Sequence, residues 1–199
     1  MGQTLLGGGS PLNKFKEIET HLSRNSRTVY VELDGDDAKG DGSQSRPFSS
    51  VKQALRLLTG TTKQLNINLS AGKHVVEHDV FHKVLGTCVM TGSGVLSVIG
   101  DAPMYVENAY LYIECGGIES LGQSPFVFEL GPKGALLQRC SLVCDNKASV
   151  VRFAYSGAVY LLRGAVTNNA SAAVPLVSVL NGARVDVQKI GATLTNITE

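Results

Sequence analysis

The sequence carries almost no net charge. Its 18 Lys and Arg and 17 Asp and Glu nearly cancel to +1 at pH 7, which leaves no electrostatic footprint for nucleic acid. No apolar run reaches the roughly 18 to 20 residues of a membrane span, so membrane insertion is not expected. The opening MGQTLLGGGS lacks the basic region and long apolar stretch of a secretory signal. Gly2 fits a myristoylation signal, but Leu6 stands where Ser or Thr is needed. Without an export signal, the N-x-S/T sequences at Asn68, Asn169 and Asn196 read as turn and strand residues rather than glycan sites.

Cysteine is sparse, at Cys88, Cys115, Cys140 and Cys144. The Cys140 and Cys144 spacing is wrong for a CxxC site, and no histidine lies nearby to complete a zinc set. Reduced, mostly buried thiols are expected, in keeping with assembly in a reducing cytoplasm. No cofactor is implied. Tryptophan is absent, whereas glycine is abundant at 22 residues; with short apolar runs, that points to many turns between many short strands. At 199 residues one main domain is expected.

Three regions can be separated. Residues 1–27 form a leader and a short helix for attachment or oligomerisation: the glycine-rich start cannot pack a core, and Phe15, Ile18 and Leu22 recur at helical spacing behind Asn13. Residues 28–60 hold a β-rich run, Thr28-Val29-Tyr30-Val31, then a long polar loop. A helix over 50–58 follows, with Val51, Ala54, Leu55 and Leu58 on one face. Residues 61–199 open with the strict alternation of Leu65-Asn66-Ile67-Asn68-Leu69, a half-buried strand.

The rest is repetitive. Phe126-Val127-Phe128-Glu129-Leu130, Val150-Val151-Arg152-Phe153-Ala154 and Leu176-Val177-Ser178-Val179-Leu180 are each followed by a Gly-Ala pair, at Gly134, Gly157 and Gly182. Each unit is a strand, a tight turn and a second strand. A period in the low twenties is one coil of a single-stranded, right-handed parallel β-helix. An all-β solenoid of five or six coils with a short N-terminal helical cap is therefore expected, with Val127, Val151 and Val177 in one core column. Ala109, Leu111 and Ile113 should face inward, leaving Tyr110, Tyr112 and Glu114 outward; Ala183, Val185 and Val187 should likewise face in.

Against that background the order Thr28-Val29-Tyr30-Val31, Gly35-Asp36-Asp37, Asp41-Gly42, Pro47-Phe48-Ser49-Ser50-Val51 and Ala54-Leu55 resembles the segment that leads into the β-helices of bacteriophage tailspikes and tail fibres and of related pectate-lyase-like polysaccharide lyases. The resemblance is best over about thirty residues of the chain. It implies that Phe48, Val51 and Leu55 cap the open end of the solenoid, which would otherwise expose core and unpaired strand edges.

Candidate chemistry is thin. Asp34, Asp36, Asp37 and Asp41 share one glycine-rich loop, but the closing Glu of a calcium loop is missing, and Asp and Gly are ordinary turn residues. His74, His78 and His82 are spaced by four. A helix or continuous strand would align their rings for a metal, for example where chains meet. The β-branched Val75, Val76 and Val80 favour instead a surface strand and turn with exposed rings. Glu107, Glu114, Glu119, Glu129, Asp145 and Asp186 are available acids, and Arg139, Arg163 and Arg184 available bases, but no pair can be placed at a catalytic spacing. No catalytic, cofactor-binding or metal-binding residue is assigned.

The resemblance and the lack of long insertions imply a compact, non-catalytic module of a phage tail: a fibre, spike or adapter segment in the virion, assembled in the host cytoplasm. The alternative is a polysaccharide depolymerase, a lyase or glycoside hydrolase of the tailspike type. The family implies a homotrimer, neighbouring tail or baseplate proteins as partners, and a bacterial surface polysaccharide as receptor. Outward Tyr110 and Tyr112 are the expected interface residues.

Overall fold

A computed structural model describes residues 26–58, 64–131, 134–145, 149–153, 159–162, 165–168, 174–175, 177–179, 186–189, 193–195 and 197–198. The leader, the helix expected over 14–24, the Gly157 and Gly182 corners, Arg163 and Arg184 lie outside the described residues.

The chain is a parallel β-solenoid of about four turns. A strand β1 (Ser26–Val31) and one short helix α1 (Val51–Leu55) precede the coils. Two long strands follow, β2 (Gln64–Glu77) and β3 (Leu85–Ile99), each bent across a corner so that one strand serves two faces. The expected strand at 65–69 is the first limb of β2. At the bend of β3, Gly92 has φ +105, and a Cβ there would run into the Leu69 backbone one level away, so only glycine fits.

Shorter strands complete the coils: β4 (Met104–Val106), β5 (Asn108–Glu114), β6 (Gly117–Ser120), β7 (Phe126–Leu130), β8 (Ala135–Gln138), β9 (Leu142–Cys144) and β10 (Ser149–Phe153). Beyond them lie β11 (Val159–Leu162), β12 (Ala165–Asn168), β13 (Val174–Pro175), β14 (Val177–Val179), β15 (Asp186–Lys189), β16 (Thr193–Thr195) and β17 (Ile197–Thr198). One face stacks β1, β2, β3, β5, β8, β11 and β15; a second stacks the far limbs of β2 and β3, then β6, β9, β12 and β16; a third stacks β4, β7, β10 and β14. All these pairings are parallel, as a chain winding in one sense requires.

The registers set the period. Leu65, Cys88, Leu111, Leu136, Tyr160 and Val187 are level on successive coils, at steps of 23, 23, 25, 24 and 27 residues by difference of position. Ala135 is therefore level with Val159, and Val159 with Asp186. The step between level residues thus varies from 23 to 27. The core column on the third face is likewise Met104, Phe128, Val151 and Val177. Phe128, not Val127, stands in it; Val127 is buried one position away.

Inside, Leu65, Cys88, Leu111 and Leu136 are stacked and buried, as are Ile67, Met90 and Ile113. On the second face Leu96, Ile118 and Leu142 continue the same core. Fully burying one such side chain stabilises the fold by roughly 1.5–3 kcal/mol. Among the described residues the third face holds four strands, while the first face carries seven levels from β1 to β15. At the level of β2, residues 78–84 form turns instead of a third strand, and Phe81 and Val84 fill the core there.

Candidate functional site

The N-terminal cap is the most fully assembled feature. Tyr30 donates its N–H to the Gly42 carbonyl at 2.9 Å, Phe48 donates to Tyr30 at 3.0 Å, and Glu32 donates to Phe48 at 2.9 Å. The loop thus returns along the outer edge of β1, and Phe48 pairs in parallel with Val31. An edge that would otherwise offer unpaired N–H and C=O groups is covered. Phe48, Val51, Ala54 and Leu55 are all buried against the first strands. Gly42 has φ +79, and a Cβ on it would meet the Phe48 ring at 2.6 Å and Val29 at 2.9 Å. The glycine both turns the loop and leaves room for the phenyl ring.

The loop acids hold this cap together. Asp36 accepts from the N–H groups of Ala38 and Lys39 at 2.8 and 3.0 Å. Asp37 accepts from the N–H groups of Ser49 and Ser50 at 2.8 and 3.0 Å, and from the Ser50 hydroxyl at 2.6 Å. Ser50 in turn accepts from the Gln53 N–H at 3.1 Å, which makes it the N-cap of α1. That helix is shorter than the 50–58 expected, because the chain tightens into a turn at Arg56 and Leu57. Burial pushes the Asp37 carboxyl up, but the hydrogen bonds from Ser50 and Ser49 outweigh it and hold the group below the usual carboxylate range. Asp41 is lowered too, by its hydrogen bonds from Ser43 and by Arg46, with which it forms an ion pair. Asp34 is exposed. The oxygens of Asp36, Asp37 and Asp41 thus serve the loop itself.

The three histidines diverge. His74 follows the bend of β2 and is 3% exposed, not on the surface as its spacing suggested; Nε2 lies 2.9 Å from the Ser70 carbonyl. His78 sits in the next turn, and His82 stacks at a tilt on Tyr105, with centroids 5.6 Å apart. Among the described residues no three His, Cys, Asp or Glu side chains gather as a metal site.

On the outer face Ala109, Leu111 and Ile113 point inward and Tyr110 is 44% exposed. Tyr112 differs from expectation: it is only 6% exposed. Alternation does send it outward, but the Arg139 guanidinium of the next coil lies over its ring, 5.3 Å from the centroid, and its hydroxyl donates to Glu114 at 2.8 Å. Tyr112 is covered within the chain and is not available as an interface residue. Tyr110 remains on the surface, and so does Leu85, 62% exposed on the preceding coil two positions from the residue level with Tyr110.

Other outward acids also have partners. Glu129 meets Arg152 at 2.7 Å on the next coil, and that guanidinium lies 4.6 Å over the Phe126 ring. Glu119 meets Lys73 at 2.6 Å and Glu77 meets Lys52 at 3.2 Å. Sequence reading missed the Glu129–Arg152 pair, although the period contained it: the two stand 23 residues apart, one coil, in direct register.

All four cysteines are buried and unpaired by disulfide. Cys88 lies in the core, where burial pushes its thiol up to about 12. Cys115 and Cys140 stand at the same corner on successive coils, each two residues beyond the level pair Ile113 and Gln138, and the Cys115 Sγ donates to the Gly117 carbonyl at 3.3 Å.

No protein-family model matches the chain. Neither a curated protein nor a solved structure matches it.

Proposed function

We propose that the chain is a non-catalytic structural or adsorption module of a bacteriophage tail, working as a homotrimer beside other tail or baseplate proteins in the virion. The observation that carries this reading is the cap. The residues by which the sequence resembles tailspike and tail-fibre β-helices, Gly42, Phe48, Ser50, Val51 and Leu55, act together at the first coil of a parallel solenoid. A solenoid closed at one end and built of compact coils suits a load-bearing or adsorbing segment. The outward acids support the non-catalytic part: Glu77, Glu114, Glu119 and Glu129 are each engaged by a cation or a tyrosine hydroxyl. A bacterial surface polysaccharide is the receptor class that the resemblance implies.

Light scattering on the purified full chain tests the proposal. Three chains per particle are expected, and Tyr110→Lys should lower that number, since an exposed aromatic suits a subunit interface. A monomer that releases oligosaccharides from bacterial capsule or lipopolysaccharide would overturn it in favour of a depolymerase.

A further inference from the structure

Cys115 and Cys140 are equivalent positions on neighbouring coils. Ile113 is level with Gln138 on one side of the corner, and Ile118 with Leu142 on the other. The Arg139 N–H donates to the Ile113 carbonyl at 2.9 Å, and the Ile118 N–H to the Ser141 carbonyl at 2.8 Å. Hydrogen bonds between the same two coils therefore bracket both thiols. Adjacent parallel strands lie about 4.8 Å apart, within the Cα separation of about 4.4–6.8 Å that a disulfide spans. The Cys115 Sγ donates to the Gly117 carbonyl at 3.3 Å, within the same corner. Gln138 donates to the Cys140 carbonyl at 3.0 Å and steadies that side of the corner. The residues that follow the two cysteines, Gly116 and Ser141, are exposed, so the pair lies directly beneath the surface.

We propose that Cys115 and Cys140 are an oxidisable pair that closes into a disulfide between two successive coils when the protein meets a peroxide. The Cys115 thiolate attacks one oxygen of hydrogen peroxide; the O–O bond breaks, and hydroxide leaves and takes up the released proton as water. The Cys140 sulfur then attacks the sulfenic sulfur; the S–O bond breaks, and a second water leaves with the Cys140 proton. Two thiols lose two electrons and two protons, and one peroxide becomes two waters. The pair is poised for this order of events. The neighbouring Cys140 thiol favours the Cys115 thiolate against the opposing effect of burial and holds it below the usual thiol range, while the Cys115 side chain and burial push Cys140 up. Cys88 has no such partner and stays a core thiol.

The bond encloses one coil and staples it to the next, so a coil assembled under reducing conditions would be locked on oxidation. The test treats the folded, full-length protein with hydrogen peroxide and maps its peptides without reduction. A cross-link between Cys115 and Cys140, reversed by dithiothreitol, is expected. The melting temperature should rise by about 5 °C or more. Cys140→Ser should abolish both effects, and Cys144→Ser should leave the link in place. Recovery of Cys115 as free thiol or sulfinic acid in the treated wild type, or a link to Cys88 or Cys144 instead, would overturn the proposal.

Discussion

A few polar side chains decide how the solenoid begins. Asp37 joins the polar loop to the helix through three hydrogen bonds, two from backbone N–H groups and one from Ser50. Its carboxyl is lowered on folding, so the stability it contributes is present above the ordinary value of 3.8 and is lost as pH falls through and below that value. Asp37→Asn keeps the shape but removes the charge. It should cost roughly 1–2 kcal/mol near neutral pH, toward the low end because the group is partly solvated. The gap to wild type should narrow as pH is taken from neutral to below 3.8. Urea midpoints of both proteins at the two ends of that range check this; a constant gap would show that Asp37 acts through packing alone. Tyr112 carries a second lesson at this scale: one arginine on the following coil turns an outward aromatic into a covered one.

Among the elements, the cap works as a unit. The loop pairs with β1, Phe48 lies beside Val31, and α1 presses Val51, Ala54 and Leu55 into the same apolar end. A helix of five residues has no stability of its own, so its energy comes from this packing and from the Ser50 N-cap. Phe48 is 3% exposed, and Phe48→Ala should destabilise the protein by roughly 3–5 kcal/mol. Chemical denaturation would read this as a lower midpoint. An unchanged midpoint would mean that the cap is dispensable to the coils beneath it.

The whole molecule is a stack in which each coil pairs its strands with those of its neighbours. Stability then comes from continuous columns rather than one central cluster, and a break in a column separates the coils on either side. Val151 is fully buried between Phe128 and Val177 in such a column. Val151→Asp puts an unpaired charge there, at a cost of several kcal/mol, on the order of a domain's whole stability. Loss of the folded protein is expected by circular dichroism, whereas Val151→Ile should fold, since one added methylene is a milder strain. A folded Val151→Asp protein would show that this column is not continuous.

Solenoid winding and the inward sides of β2 and β5 were legible in the sequence because each rests on local pattern. Alternation sorts Leu65, Ile67, Leu69, Leu111 and Ile113 to one side, and a period in the low twenties requires coils. Coil-to-coil register was not legible: the step between level residues is not constant, and the ladder sets Phe128 rather than Val127 level with Val151. Nor was the fate of outward side chains. Alternation says which side of a strand a residue leaves from, not what the next coil lays over it, and so Arg139 covers Tyr112 while Tyr110 stays exposed. Contacts between residues some 25 positions apart, Cys115 with Cys140 among them, exist only once the coils are stacked, because the ladder's hydrogen bonds, not the local sequence, bring those side chains level.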